Sequence, residues 1–406
     1  MLRRVHIENV KVLDDVVMEL PDDPSKRWHV VLGDNGVGKT TLIRAIALVF
    51  TDGQSGSLRL DLASWQGARE DVGPSRDPAF NPRLAARWRS SAHVTPEPDA
   101  RFLELLSGGV TAHRHSPKRV FCASYGPYRR FTGGRDYSEM ERAYPLAARH
   151  LSAFGEDAAL SSALTWISDL HVKELEGRRD GGLLAGLTRF VNESGLPHGV
   201  RLLRVMSDLI LFADAEGKEL PIQQLADGYR SVLSMTFELI RQMSLHFGEA
   251  DMFTEVDGRW VVAHEGIVLI DEVDAHLHPS WQAKIGEWFL SAFPRVTFLV
   301  TTHSPLVCRA AVDGTIWRLR SPGESGDQLV QITGEQLDRI LYGNLHQALE
   351  SEAFQLPGVA RSTKGREKQK RLAELNRKQR RSLLSAEEEL EYASLQTLFP
   401  ADEQAR

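Results

Sequence analysis

The sequence is poor in cysteine, in long apolar runs and in any excess of one charge. Only Cys122 and Cys308 occur in 406 residues, far apart and without CxxC spacing, which argues against a disulfide framework and against a structural zinc site. No apolar run approaches the roughly 18 residues that cross a bilayer, and the start, Met1-Leu-Arg-Arg-Val-His6, lacks the hydrophobic core of a signal peptide. The expectation is a soluble, cytoplasmic protein without a membrane partner. Lys and Arg number 49 against 55 Asp and Glu, a formal charge of −6, which argues against a wholly basic nucleic-acid binder. What is present, 42% hydrophobic and 26% charged residues, suffices for a core of two domains or one large one and excludes wholesale disorder. The charge total hides a patch: residues 361–381 hold ten basic and two acidic side chains, a local +8 that leaves −14 for the remainder.

Alternation of Val5 and Ile7, then Val10 and Val12, then Val16, Met18 and Leu20, predicts a hairpin that Pro21-Asp-Asp-Pro24 ends. Trp28–Leu32 reads as a third strand and Thr41–Phe50 as a helix. Residues 51–118, rich in Gly, Pro, Ser and Arg, read as an irregular β-rich insert, and Val120–Ser124 as a strand ending at Tyr125-Gly126-Pro127. The pattern is helical from about 135 to 208, with breaks at Pro145, Gly181-Gly182 and Pro197 that leave no room for a long coiled-coil arm. Strands near 209–212 and 221–222 follow, then a largely buried helix over 228–246, a hairpin over 252–262, the strand Ile267–Ile270, a helix opened by Pro279, and the strand Val296–Val300. The domain division expected is 1–131, 132–220, 221–320 and a helical tail over 321–406. No internal repeat is visible.

Gly33-x4-Gly38-Lys39-Thr40 satisfies the phosphate-binding loop pattern between a strand and a helix, the context this pattern needs. Its glycines let backbone N–H groups wrap phosphates, Lys39 bridges the β and γ phosphates of ATP, and the Thr40 hydroxyl ligates Mg²⁺. Asn35, Gly36 and Thr41 complete the expected cofactor-binding set. Ile267-Val-Leu-Ile-Asp271-Glu272 has the form of a buried strand delivering carboxylates to its C-terminal edge. Asp271 is the expected second metal residue, and Glu272 the group that polarises an attacking water. His303, just past another apolar strand, is placed to report on the γ-phosphate. Leu225-Ala-Asp-Gly-Tyr-Arg-Ser231 opens the long apolar helix; it reads as an anion site or, equally, as a plain N-cap by Asp227. His276 and His278 with Asp274 suggest a metal site, but no third ligand follows at helical spacing.

In this order the segments resemble the ABC-type ATPases: Walker A at Gly33–Thr40, a signature segment at Leu225–Arg230, Walker B at Ile267–Glu272, the D-loop at Asp274 and the switch histidine at His303. Within that class the N-terminal Ile7-Glu-Asn-Val-Lys11, Glu272–Pro279 and Thr302-His-Ser-Pro305 resemble the SMC/RecF/OLD-like ATPases, including phage-defence ATPases of the Septu type, over roughly residues 1–320. The resemblance implies an α/β P-loop ATPase head with a doubly wound core sheet, a β-rich N-terminal lobe and a short helical lobe. It implies ATP and Mg²⁺ as cofactors, catalysis by Glu272, His303 and Lys39, and a homodimer that sandwiches two ATP molecules. Each would lie between Walker A of one subunit and Ala226, Asp227 and Gly228 of the other, with Asp274 nearby. Two departures from the family pattern bear on turnover: Ala226-Asp227-Gly228 stands where Ser-Gly-Gly is usual, and Tyr125-Gly126-Pro127 where a glutamine loop is usual.

Three functions follow as expectations. The first is a phage-defence ATPase that senses nucleic acid or nucleotide state and controls a separately encoded effector such as an HNH nuclease; the chain carries no Toprim or HNH constellation of its own. The second is a nucleotide-gated scaffold with little hydrolysis, and the third a DNA repair or recombination ATPase; a transporter subunit fits poorly. The basic run, followed by a capping box at Ser385-Ala-Glu-Glu388, suits DNA contact or docking of a protein partner equally. It contains no aromatic residue for base stacking.

Overall fold

The computed structural model describes residues 2–51, 54, 58, 90–96, 101–106, 109–114, 120–129, 137–155, 161–177, 182–194, 196, 199–214, 216–321, 323–354, 363–381 and 383–399. At 8, 9, 90–96, 101–106, 109–114, 161 and 363 the description is of the backbone alone. Most of the insert expected over 51–118, together with Gly181 and Pro197, lies outside the described residues. The chain divides into two units, 1–342 and 343–406.

In the first unit β1 (Leu2–Val10) and β2 (Leu13–Glu19) form the expected hairpin, with Val5 opposite Met18 and Ile7 opposite Val16. β3 (Trp28–Leu32) leads into α1 (Lys39–Val49). β4 (Ser90–Pro96), β5 (Arg101–Leu106) and β6 (Gly109–Arg114) extend the hairpin into an antiparallel sheet of order β2-β1-β4-β5-β6. After β7 (Cys122–Tyr125) come α2 (Ser138–Ala143), α3 (Pro145–Ala148), α4 (Leu151–Phe154), α5 (Ser161–Leu175) and α6 (Gly182–Glu193). The helical reading overran at its end, because Arg201–Val205 is a strand, β8, paired with β9 (Ile210–Ala213), which in turn pairs with β10 (Glu219–Pro221). Its Leu202 faces the interior while Arg201, Leu203 and Arg204 face solvent; a register shift between Leu202 and Arg204 breaks the period of two that would mark a strand.

α7 (Asp227–Phe247) is buried from Ser231 to Ser244. Its charged interior residues are paired, with the Arg241 guanidinium 2.7 Å from Glu238 and 2.8 Å from Glu141. The hairpin β11 (Phe253–Val256) and β12 (Arg259–Val262) precedes β13 (Gly266–Ile270). The helix opened by Pro279 is two helices, α8 (Pro279–Gln282) and α9 (Ile285–Ala292), followed by β14 (Val296–Thr301), α10 (Pro305–Cys308), β15 (Gly314–Leu319), β16 (Leu329–Ile332) and α11 (Gly334–Leu341).

The core sheet has the order β16-β15-β3-β14-β13-β7. Five strands run parallel and the edge strand β16 is antiparallel to β15, so the sheet is mixed rather than wholly doubly wound. Alternation along its buried strands sends side chains to two faces. Ile267, Leu269, Val31 and Leu299 join Leu42, Ile43 and Ile46 of α1 and Val5, Ile7 and Val16 of the hairpin in one cluster. On the other face the Phe298 ring centroid lies 5.6 Å from Trp28 and 5.2 Å from Phe289 of α9. α1 is thus clasped between two sheets, and the loop before it is fixed at both ends.

The second unit holds α12 (Leu345–Glu350), capped by Asn344 and Gln347, then α13 (Thr363–Gln379) and α14 (Ala386–Leu398). The expected capping box of Ser385 and Glu388 is present. Leu372, Leu375 and Leu395 form the seam between α13 and α14.

Phe298 is fully buried at the centre of the aromatic face. Phe298→Ala is expected to destabilise the first unit by about 3–5 kcal/mol through lost transfer energy and the cavity left behind. Urea unfolding monitored by tryptophan fluorescence measures it, and a loss under about 1 kcal/mol would mean that this face is not the core it is described as.

Candidate functional site

Because β3, β14, β13 and β7 are parallel neighbours, their C-terminal ends open on one edge of the sheet. The edge therefore collects four loops: Gly33–Gly38, Thr302–Ser304, Asp271–Leu277 and Gly126–Arg129. The first needs its glycines. Gly38, the residue before α1, has φ 112°, and a Cβ there would stand 2.7 Å from Leu13; at Gly33 it would stand 2.6 Å from the Leu319 carbonyl. α1 begins with no side-chain cap and no acidic residue in its first turn, which leaves its first N–H groups for an anion. Lys39, only 7% exposed, donates from Nζ to the carbonyls of Gly33 and Asp34, both at 2.8 Å. Burial lowers its pKa, opposed by Asp271, Glu272, Asp34 and Asp274. Asp34, Asn35 and Gly36 are exposed. An uncapped helix start, a glycine-shaped loop and a buried lysine folded back on that loop fit a nucleotide's phosphates.

The Asp271 carboxylate, 2% exposed, accepts at Oδ2 from the Thr40 hydroxyl and at Oδ1 from the Thr301 hydroxyl, both at 2.6 Å. Thr301 Oγ1 also accepts from the Glu272 N–H at 2.8 Å. Glu272 has φ 49°, a conformation that few non-glycine residues adopt and that such anchoring stabilises. The Thr302 hydroxyl donates to Asp274 at 2.5 Å and accepts from the Ser304 N–H at 2.9 Å. Thr40 with Asp271 thus forms an oxygen pair of the kind Mg²⁺ takes. Thr41 sits half-buried in the first turn of α1. His303 stands exposed on the same edge, its pKa lowered by partial burial and by the charge of Lys39, against Asp274, Glu272 and Asp34.

Ala226 and Asp227 are exposed at the start of α7. The Asp227 carboxylate accepts from the Arg230 guanidinium, which lowers its pKa. Gly228 abuts the D-loop, since a Cβ there would lie 3.3 Å from the His276 carbonyl. No described hydrogen bond joins Ala226–Gly228 to Lys39 or Thr40 of the same chain. His278 is occupied locally, with Nδ1 accepting from the Ser280 N–H at the start of α8. Among the described residues no group of three or more His, Cys, Asp and Glu side chains is placed to hold a metal.

Sequence reasoning stopped at Pro127 and missed Arg129. This residue is 4% exposed. Its guanidinium donates to the carbonyls of Gly126, Asp271 and Glu272, each at 3.0 Å, and of Val273 at 3.4 Å, while Nε donates to the Ser231 hydroxyl of α7 at 3.2 Å. Burial lowers its pKa to about 10, opposed by Asp274, Asp271 and Glu272, so it stays charged at neutral pH. No carboxylate is hydrogen-bonded to it; it neutralises backbone carbonyls where the Walker B strand turns. Nothing in the spacing of Tyr125-Gly-Pro-Tyr-Arg129 distinguishes it from other arginines beyond its place after a strand end.

Comparison with known proteins agrees with this geometry. Residues 135–309 match the family described as "AAA domain, putative AbiEii toxin, Type IV TA system", and residues 4–72 match a second "AAA domain" family. The chain is 24% identical over 319 residues to the "Septu protein PtuA" of Bacillus mycoides, covering 78% of this chain and 40% of that protein. It is 36% identical over 122 residues to the "Retron Ec83 probable ATPase" of Escherichia coli, covering 30% of this chain and 21% of that one. The chain thus spans well under half the length of these curated relatives. Among solved structures the "SMC head domain from Thermotoga maritima" aligns over 82% of this chain and 99% of that one, at TM-score 0.43 and 13% identity. The chain is thus related by sequence to Septu PtuA and to the retron ATPases, with AAA-domain matches over residues 4–72 and 135–309.

Two predictions come from this site. Arg129→Lys replaces a planar five-donor fork by a point charge that cannot span the three strand-end carbonyls. It is expected to keep nucleotide affinity within about threefold while turnover falls at least about tenfold, because Glu272 is misplaced; equal losses in both would mean a merely structural role. His303, titrated by its ring proton shifts, is expected to have a midpoint below the ordinary 6.5, so that it is neutral at pH 7. Lys39→Met should move that midpoint upward, and no upward shift would contradict the stated proximity.

Proposed function

We propose that this chain is an ATP-hydrolysing subunit of a phage-defence system, working as a homodimer whose two heads close on two ATP molecules and controlling a separately encoded effector nuclease. The observation that carries the ATPase reading is the chain Thr40–Asp271–Thr301–Glu272 beside Lys39. When bound, ATP supplies the phosphoanhydride bond and Mg²⁺ the charge that screens it. Gly33, Asn35, Gly36, Gly38, Lys39, Thr40 and Thr41 would hold the phosphates, and Thr40 and Asp271 the metal. Lys39 would leave the Gly33 and Asp34 carbonyls for the β and γ oxygens. Glu272 would orient and deprotonate water, and His303, neutral near pH 7, would hydrogen-bond at the γ position.

Ala226 and Asp227, on the expected second nucleotide face of each head, are exposed in one chain, with Gly228 half-buried beside them, which supports supply of that face by a second copy, with Asp274 at the join. Asp227 places a carboxylate where the related pattern has a small neutral residue. Its pairing with Arg230 offsets that charge and keeps the closed dimer electrostatically feasible. The defence role rests on the relationship to Septu PtuA and the retron ATPases. The effector, of the HNH nuclease class, the trigger and any cytoplasmic complex belong to the same proposal. A nucleotide-gated scaffold is the second reading, favoured by the altered signature alone.

Multiple-turnover ATPase assays separate the two. Glu272→Gln is expected to lower kcat by about 10²–10⁴ while ATP still binds, and Lys39→Ala to lose ATP binding. Wild-type turnover no faster than that of Glu272→Gln would sink the enzyme reading and leave the scaffold.

A further inference from the structure

The fold of the second unit sets two groups of cations apart within the basic run, while Lys364, Lys368 and Arg380 stand exposed outside both. On the side of α13 that meets α14, Arg371 lies 2.9 Å from Glu391 and 3.4 Å from Glu388, and Lys378 lies 2.5 Å from Glu388. These two are neutralised. At 100° per residue, Arg366, Lys370, Arg377 and Arg381 fall within about 60° of one another, on the side of the helix away from the Leu372 and Leu375 seam. Helical hydrogen bonding continues past Gln379, with the Arg380 N–H donating to the Asn376 carbonyl and the Arg381 N–H to that of Lys378. All four side chains are exposed and none has an acidic partner among the described residues. Ala373 and Glu374 border the stripe, and the Glu374 carboxylate is turned toward Arg371, at 3.5 Å.

We propose that this stripe binds the sugar-phosphate backbone of duplex DNA. It goes beyond the reading above, and it rests on charge and shape rather than on the ATPase site. Four unpaired cations over the 15 residue steps from Arg366 to Arg381 span about 22 Å along α13 and the turn that continues it, and duplex DNA presents about one phosphate charge per 1.7 Å of axis. A protein partner would need an aromatic or apolar anchor, and the stripe offers only Ala373 at its border. A single strand would be held by stacking on aromatic rings, and the stripe has none. The absence of base-reading geometry makes the contact sequence-independent.

The experiment is fluorescence anisotropy of a labelled 20-base-pair duplex with the full chain between 50 and 200 mM KCl. The quadruple variant Arg366→Ala, Lys370→Ala, Arg377→Ala, Arg381→Ala is expected to weaken binding at least about tenfold at 100 mM. Its slope of log affinity against log salt should be shallower by roughly 3–4, near 0.9 for each phosphate that is no longer neutralised. The charge-keeping variant Arg366→Lys, Arg377→Lys, Arg381→Lys should bind within about threefold of wild type, which separates loss of charge from loss of folding. Lys39→Ala should bind the duplex normally, so failure of the ATPase reading would not be mistaken for failure of this one. No binding by wild type, an unchanged slope in the quadruple alanine variant, or tighter binding of a single strand of the same sequence would overturn the proposal. So would a normal duplex affinity in that variant together with loss of a copurifying acidic protein.

Discussion

The carboxylate of Asp271 is the point on which the nucleotide edge depends. It is delivered by a strand whose every neighbour is buried, and it is held from two sides by hydroxyls, Thr40 from the phosphate loop and Thr301 from the strand between. A buried carboxylate without partners would be protonated or would open the site; two charge-assisted hydrogen bonds of 2.6 Å hold it in place. Through it, β3, β14 and β13 are cross-tied at the edge where their backbone ladders end. The same Thr301 oxygen that donates to Asp271 accepts from the Glu272 N–H, so the two acids are registered to each other by one side chain.

Arg129 supplies the opposite constraint. Where Asp271 concentrates negative charge, the strand end also turns three carbonyls toward the interior, and Glu272 sits at positive φ. A buried arginine without an acidic partner is costly unless its donors are taken, and here the carbonyls of Gly126, Asp271 and Glu272 take them. The link from its Nε to Ser231 ties the first buried turn of α7 to the same point. A displacement of α7, whose exposed first turn carries Asp227 and Gly228, would therefore be felt at the backbone of Glu272. The first buried turn of α7 and the backbone of Glu272 are thus coupled through one guanidinium.

Much of this edge was legible in the sequence, because its parts are local. Gly33–Thr40 and Ile267–Glu272 each carry their meaning within six to eight residues, and the largely apolar run Trp28–Leu32 and the apolar run Ile267–Ile270 marked the strands that deliver them. Less legible was whatever depends on tertiary pairing. Arg129 looks like any arginine after a turn until three carbonyls from another segment converge on it. The antiparallel edge strand Leu329–Ile332 and the strand Arg201–Val205 are short and do not alternate, being buried at Leu329 and Ile332 in the one and interrupted by a register shift in the other. Nothing in the sequence pairs Glu238, Arg241 and Glu141, yet two lie on the buried face of α7 and the third comes from α2.

The tail shows why charge counts along a sequence mislead in both directions. A net −6 suggested no polyanion partner, and a local +8 suggested one without saying which cations were available. Folding settles that by geometry: α14 is acidic in its first turn, with Glu387, Glu388 and Glu389, and it is packed by its leucine seam so that it reaches one side of α13 only. Glu388 is drawn below the usual carboxylate range by Lys378 and by the Ser385 N–H it accepts as part of the capping box, so it is committed twice and cannot serve the far side. The cations that α14 reaches hold the hairpin together, and those it cannot reach keep their full charge. An acidic helix beside a basic one therefore does not cancel it; it pairs Arg371 and Lys378 and leaves Arg366, Lys370, Arg377 and Arg381 unpaired along one line.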